Sequence, residues 1–203
     1  MIDIHIAVAK SANEIIKELD GAWYKKDTIL KNAANAAGKY AMKKLKTGIE
    51  KRYDYDKEKI NPEKHLTRKS ATYANPRTII DVSDYRNELV YFSVTPDTLA
   101  HGKNRPSAYA ARVLAKNNMK KILEDREQGY SKAFMIRFQN GHKSLVRRKL
   151  DEPKSRKVKT TNALSVTHMT RQVFRMEETD ITEKIQFYVQ KNIDKYMKKR
   201  RTA

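Results

Sequence analysis

The sequence predicts an α+β fold: a central antiparallel or mixed sheet with a long N-terminal helix and a C-terminal amphipathic helix on its flanks. Three observations predict it. Apolar residues alternate with period two at residues 2–8, 77–83 and 134–138, the mark of strands with one buried face. Residues 27–60 and 178–201 instead repeat apolar residues at i, i+4. Most strand signals lie between those two helical stretches. A chain of 203 residues suits a single domain that buries a core without metal or disulfide staples.

Residues 1–26 open with Ile2, Ile4, Ile6 and Val8 alternating around Asp3, His5 and Ala7, a half-buried strand. Ser11 with Glu14 three residues on forms a capping box for a short helix whose apolar side is Ile15, Ile16 and Leu19, stopped at Gly21. Asp27 is an N-cap for the long helix. Its stripe is Leu30, Ala34, Ala37, Ala41 and Leu45, broadened by Ala33, Ala36 and Tyr40. A face this rich in Ala, with Gly38 and Gly48, admits another backbone closely, either the protein's own sheet or a neighbouring subunit. Lys39, Lys43 and Lys46 make the opposite face basic, and Asn61-Pro62 closes the element.

Residues 66–169 form the sheet region. RTIIDVS (77–83) places Thr78, Ile80 and Val82 on one face, and ELVYFSVTP (88–96) reads as the next strand. The short link 84–87 argues that these two pair antiparallel. Residues 96–106, with Gly102 and two prolines, read as loop. YAARVLA (109–115) reads as a third strand, although its alanines also suit a helix. Residues 117–128 are a polar connector. The hairpin 130–149 follows: Phe134, Ile136 and Phe138 alternate, and Asn140-Gly141 suits a two-residue type I′ turn that sets Ile136 opposite Leu145 and Phe138 opposite Lys143. Residues 151–161 read as an exposed basic loop and LSVTHM (164–169) as a short extended piece. Asp180 with Glu183 caps the last helix, which carries Ile181, Ile185, Val189 and Ile193 and ends in Lys198-Lys199-Arg200-Arg201, a cationic end that complements the helix dipole.

Forty-four Lys and Arg against 24 Asp and Glu give a net charge of +20. A field of that size draws polyanions, though charge speaks to association and solubility and not to fold. The bias is sharpest over residues 143–159. Arg147, Arg148, Lys149, Lys154, Arg156, Lys157 and Lys159 are the residues expected to meet a DNA path or a subunit interface. There is no cysteine, so thiol catalysis and disulfides are excluded and a reducing compartment fits. No run of about 18 apolar residues occurs and the first ten residues do not resemble a signal peptide, so no membrane partner is expected.

Residues with catalytic chemistry do not converge. The five histidines, His5, His65, His101, His142 and His168, are scattered without metal spacing. Gly102-Lys103 lacks the rest of a phosphate loop, and the Asp54, Asp56, Glu58 alternation lacks the glycine and the twelfth-place acid of a calcium loop. No catalytic, cofactor or metal residue is assigned. His142 beside Arg147 and Arg148 is the one arrangement that a small basic nuclease would use, against the plainer reading of a histidine after a turn.

The order of short motifs through the middle of the chain resembles the minor tail protein Z family of tailed phages and prophages. The motifs are Lys69, Ala71, Asn75 and Pro76; then Phe92, Thr95 and Pro96; then Lys132, Ala133, Phe134, Asn140, Gly141, His142 and Arg148; then Ser165, Val166 and Met169. The resemblance spans residues 29–197, and the joint order of the motifs carries it. It implies a structural virion protein without enzymatic activity or cofactor, completing the head-proximal end of the tail so that head and tail join. It also implies a homo-oligomeric ring, with a hexamer expected, assembled in the host cytoplasm beside tail terminator, tail tube and head connector proteins, with non-specific contact to phage DNA. The charge alone supports the alternative of a basic nucleic-acid-binding protein.

Overall fold

The computed structural model describes residues 2–7, 26–123, 129–151 and 157–201. The expected capped helix over 11–21 and the basic residues Lys154 and Arg156 lie outside them. The fold is α+β, with helices and three small antiparallel sheets. The sequence reading takes the chain as one domain; the fold sets it in two compact units. One is Met1–Ile49, Pro62–Asp84 and Thr167–Ala203, the other Glu50–Asn61 and Tyr85–Val166.

The first unit packs two long helices and a sheet. Strands β1 (Ile2–Ala7), β2 (Leu66–Lys69) and β3 (Arg77–Val82) form a sheet in the order β1-β3-β2. Thr78, Ile80 and Val82 are buried, as their alternation requires. The pairing of β3 differs from expectation. Its partners are β1, with Ile4 opposite Ile80, and β2, with Leu66 opposite Val82, and not residues 88–96. Helix α1 (Lys26–Arg52) buries Ile29, Leu30, Ala33, Ala34, Ala37, Ala41, Leu45 and Ile49. It stops at Arg52, next to Tyr53, where the apolar repeat is expected to run out, and the charged residues 54–59 are not part of it; a four-residue helix α2 (Pro62–His65) follows, with Pro62 in the first turn, where its missing N–H costs nothing.

The last helix, α3 (Val166–Arg201), is much longer than residues 178–201. At 36 residues it reaches about 54 Å. LSVTHM is therefore not extended beyond Ser165, and Asp180 is no N-cap. Within this unit α3 runs antiparallel to α1. Val189 and Ile193 pack with Ile29, Leu30, Ala33 and Ala34, and Val173 sits against Gly48. In the middle of that contact the apolar stripe turns charged, with Lys44 bonded to both Glu177 and Asp180. That interruption hides the first three turns from a periodicity argument.

The second unit holds two three-stranded antiparallel sheets. β4 (Ser93–Thr95), β5 (Tyr109–Arg112) and β6 (Lys120–Ile122) form one; β7 (Phe134–Arg137), β8 (Lys143–Arg148) and β9 (Val158–Thr160) form the other. Residues 88–96 are a 3-10 turn, Leu89–Tyr91, followed by the short β4. β6 lies in the expected connector and β9 in the expected basic loop. Tyr109, Ala133, Met135 and Leu145 form a shared core, with Leu89, Val94 and Ile122 packed on it.

Candidate functional site

The hairpin between β7 and β8 closes one residue away from the expected register. Met135 faces Leu145 and Ile136 faces Ser144. Phe138 N–H donates to His142 O at 2.7 Å, and Gly141 N–H donates to Phe138 O at 2.9 Å. Gly141 alone has positive φ, +81°. This is a three-residue loop, a type I turn followed by a left-handed residue, and not the type I′ turn, which needs positive φ at both Asn140 and Gly141. Asn140 instead accepts the His142 N–H at its Oδ1 at 3.0 Å. On β7 both Phe134 and Met135 are buried, while Ile136 and Phe138, expected on the buried face with Phe134, are half-buried.

The basic residues on this sheet serve different ends. Arg147 is buried and donates through Nε to Ser131 O at 2.8 Å. Its guanidinium lies 5.6 Å from the Tyr130 ring centroid, and Lys159 Nζ, from the paired position on β9, lies 5.1 Å from the same ring. Lys149 and Lys157 are exposed. Arg148 is half-buried; its Nε is buried without a hydrogen-bond partner, and its guanidinium lies 5.7 Å from the Phe134 centroid. Arg105 comes to the same ring at 4.3 Å.

At the turn end of the sheet, Glu88 holds two side chains. Ser144, fully buried, donates its hydroxyl to Glu88 Oε2 at 2.5 Å, and His142 Nε2 lies 3.1 Å from each Glu88 oxygen. The His142 ring stacks on Phe138 at 5.9 Å and meets Tyr91 edge-on at 6.0 Å. A nucleophile, base and orienting acid would place the histidine between hydroxyl and carboxylate. Here the carboxylate is in the middle, so His142 is not placed to take the Ser144 proton. An open cleft of about 640 Å³ adjoins it, lined by Asp54, Tyr55, Lys59, Tyr91, Ser93, Asp97 and Lys143 among others. Its acids are already engaged. Asp54 Oδ2 accepts from Ser93 at 2.6 Å and from Arg112 at 2.5 Å. Burial pushes the Asp54 carboxyl up, and these two bonds with the Arg112 charge outweigh it and hold the group low. Asp97 pairs with Lys143. Burial and the Glu50 charge push Tyr55 up to about 12. Among the described residues no cluster of His, Asp and Glu is arranged to hold a metal ion.

In the first unit the small-residue face of α1 is filled from within. Gly38 meets Thr78 of β3 and Gly48 meets Val173 of α3. Of the two partners the sequence left open for that face, the structure gives it the protein's own sheet and helix. Asn35 holds the loop after β2, accepting from Ala71 N–H at 2.9 Å and donating to Ala71 O at 3.2 Å. Among the described residues no helix is long and apolar enough to cross a membrane.

Sequence reasoning missed Glu88, Arg105 and Tyr130 as members of these clusters. Only Tyr130 carried a local signal, an aromatic beside the basic return strand. No protein-family model, curated protein or solved structure matches the chain.

Proposed function

We propose that this is a structural virion protein of a tailed phage or prophage, one that completes the head-proximal end of the tail and enables head–tail joining. In this reading it acts as a ring, with six subunits expected, in contact with tail terminator or tail tube proteins on one side and the head connector on the other. It sits in the virion neck after assembly in the host cytoplasm and works without catalysis or cofactor.

The observation that carries the reading is where the family-like residues stand. Ala71 is gripped through both backbone groups by Asn35. Phe92, Ala133, Phe134, Val166 and Met169 are buried. Gly141 takes the left-handed turn position, and His142 is tied to Glu88. These residues act as joints of a scaffold, the expectation for a part that works by shape and contact. The nuclease alternative is less well supported, because Nε2 of its general base is engaged by Glu88 and Arg147 is buried. The nucleic-acid-binding alternative draws on the +20 charge and is compatible with a place on the DNA path.

Deleting the gene from its prophage tests the proposal. Tails of normal length that do not join heads are expected; a normal yield of infectious particles would sink it.

A further inference from the structure

We propose that Arg105 and Arg148 form a binding site for the phosphodiester backbone of DNA. The inference assigns side chains to the DNA contact that the neck reading expects and rests on that reading for its ligand; its geometry is its own, so the titration can fail while head–tail joining holds.

Both guanidiniums are gathered on one buried aromatic ring. Arg105, which follows the 3-10 turn Gly102–Asn104, has its Cζ 4.3 Å from the Phe134 centroid, and Arg148 of β8 has its Cζ 5.7 Å from it. The two cationic centres are therefore within about 10 Å of each other. Among the described residues no carboxylate pairs with either. Four described acids of the same unit are engaged elsewhere: Asp54 with Ser93 and Arg112, Glu88 with Ser144 and His142, Asp97 with Lys143, Glu50 with Lys57. Arg148 Nε is buried without an acceptor, while Arg148 as a whole is half-buried and Arg105 is exposed.

Two like charges held near one ring, with no described carboxylate paired to either, favour an anion that neutralises them. Arginine suits phosphate, since its weakly hydrated planar fork matches two phosphate oxygens. A phosphodiester offers that acceptor repeatedly along a strand. Exposed Lys103 and Lys132, each two residues from a member of the site, supply further cations beside it. Nothing in the cluster reads a base edge, so the binding is sequence-neutral and salt-dependent.

The test is a fluorescence-anisotropy titration of the full-length protein against a labelled mixed-sequence DNA duplex, repeated from about 50 to 200 mM KCl. The double variant Arg105→Gln/Arg148→Gln should bind at least tenfold more weakly at the low-salt end and lose about two from the slope of log affinity against log salt. Arg105 is exposed, so Arg105→Gln alone leaves folding intact and should lose about one. Arg148→Lys, which keeps charge but not the fork, should fall between wild type and Arg148→Gln. Lys39→Gln, an exposed change on α1 in the other unit, should bind as wild type. An unchanged slope for the two arginine variants overturns the proposal, as does an equal loss with Lys39→Gln, which would mean diffuse attraction. Two other outcomes overturn it as well. In one, inorganic phosphate saturates the site while the duplex does not bind. In the other, phosphatidylserine vesicles, and not DNA, show the Arg105 and Arg148 dependence.

Discussion

Gly38 of α1 lies directly on Thr78 of β3: a Cβ at residue 38 would stand 2.3 Å from Thr78 Cγ2. Thr78 cannot easily turn aside. It is fully buried, and its hydroxyl donates to Ala34 O at 3.0 Å. Gly38→Ala gains helix propensity of up to about 1 kcal/mol, but overpacking of a filled core costs about 1–3 kcal/mol. We expect net destabilisation and a lowered Tm. Thr78→Ser removes the offending methyl and keeps the hydroxyl, so the double variant Gly38→Ala/Thr78→Ser should recover most of the loss. A thermal-melt double-mutant cycle that is strictly additive would contradict the contact.

Tyr40 and Asp180 make the helix pair of the first unit acid-sensitive. The Tyr40 hydroxyl donates to Asp180 Oδ2 at 2.6 Å, and Lys44 Nζ lies 3.0 Å from the same oxygen. The Tyr40 bond first, then the Lys44 bond, holds the Asp180 carboxyl below its ordinary value of 3.8. The folded state therefore binds this proton less readily than the unfolded chain. The stability contributed is fully present above the ordinary carboxylate range and is lost as pH falls through the depressed folded value. Tm followed downward from pH 6 should decline below about pH 4, and less steeply in Asp180→Asn and Tyr40→Phe. Asp54, also held low, keeps part of the acid limb in both variants.

Glu88 and Gly141 set the turn end of the β7–β8 hairpin. Glu88→Ala leaves the buried Ser144 hydroxyl without its acceptor, a cost of about 1–3 kcal/mol. His142→Ala should cost less, because His142 is only half-buried and water can serve the carboxylate in its place. Gly141→Ala puts a Cβ into a left-handed residue, worth about 1–2 kcal/mol, and Gly141→Asn should be milder. Denaturant midpoints of the four variants check the order; equal midpoints for Glu88→Ala and His142→Ala would contradict the central role of the carboxylate.

What was legible in the sequence was what a few neighbouring residues encode. Thr78, Ile80 and Val82 alternate and are buried; Leu30, Ala34, Ala37, Ala41 and Leu45 repeat and face the core. What depended on partners was not. β3 pairs with β1, more than seventy residues away, while the chain's short link pointed to residues 88–96. Helix α3 was seen only from Asp180 because its contact with α1 passes through Glu177 and Asp180, where ion pairs replace apolar contact. Asn140-Gly141 signalled a turn correctly and its register wrongly, since the same pair serves a type I turn with a left-handed glycine. The clusters around Glu88 and Phe134 join residues distant in sequence. Glu88 meets His142 across 54 positions, and no local pattern announces such a meeting.

The central claim, that the protein completes tails so that they join heads, is tested most directly by restoration in vitro. Lysates of a prophage deleted for the gene would be mixed with the purified full-length protein and scored for plaque-forming particles. The account predicts few particles before addition, a rise that saturates with added protein, and electron micrographs in which free heads and normal-length tails become joined. Full infectivity without the protein, or no rise on its addition, would contradict it.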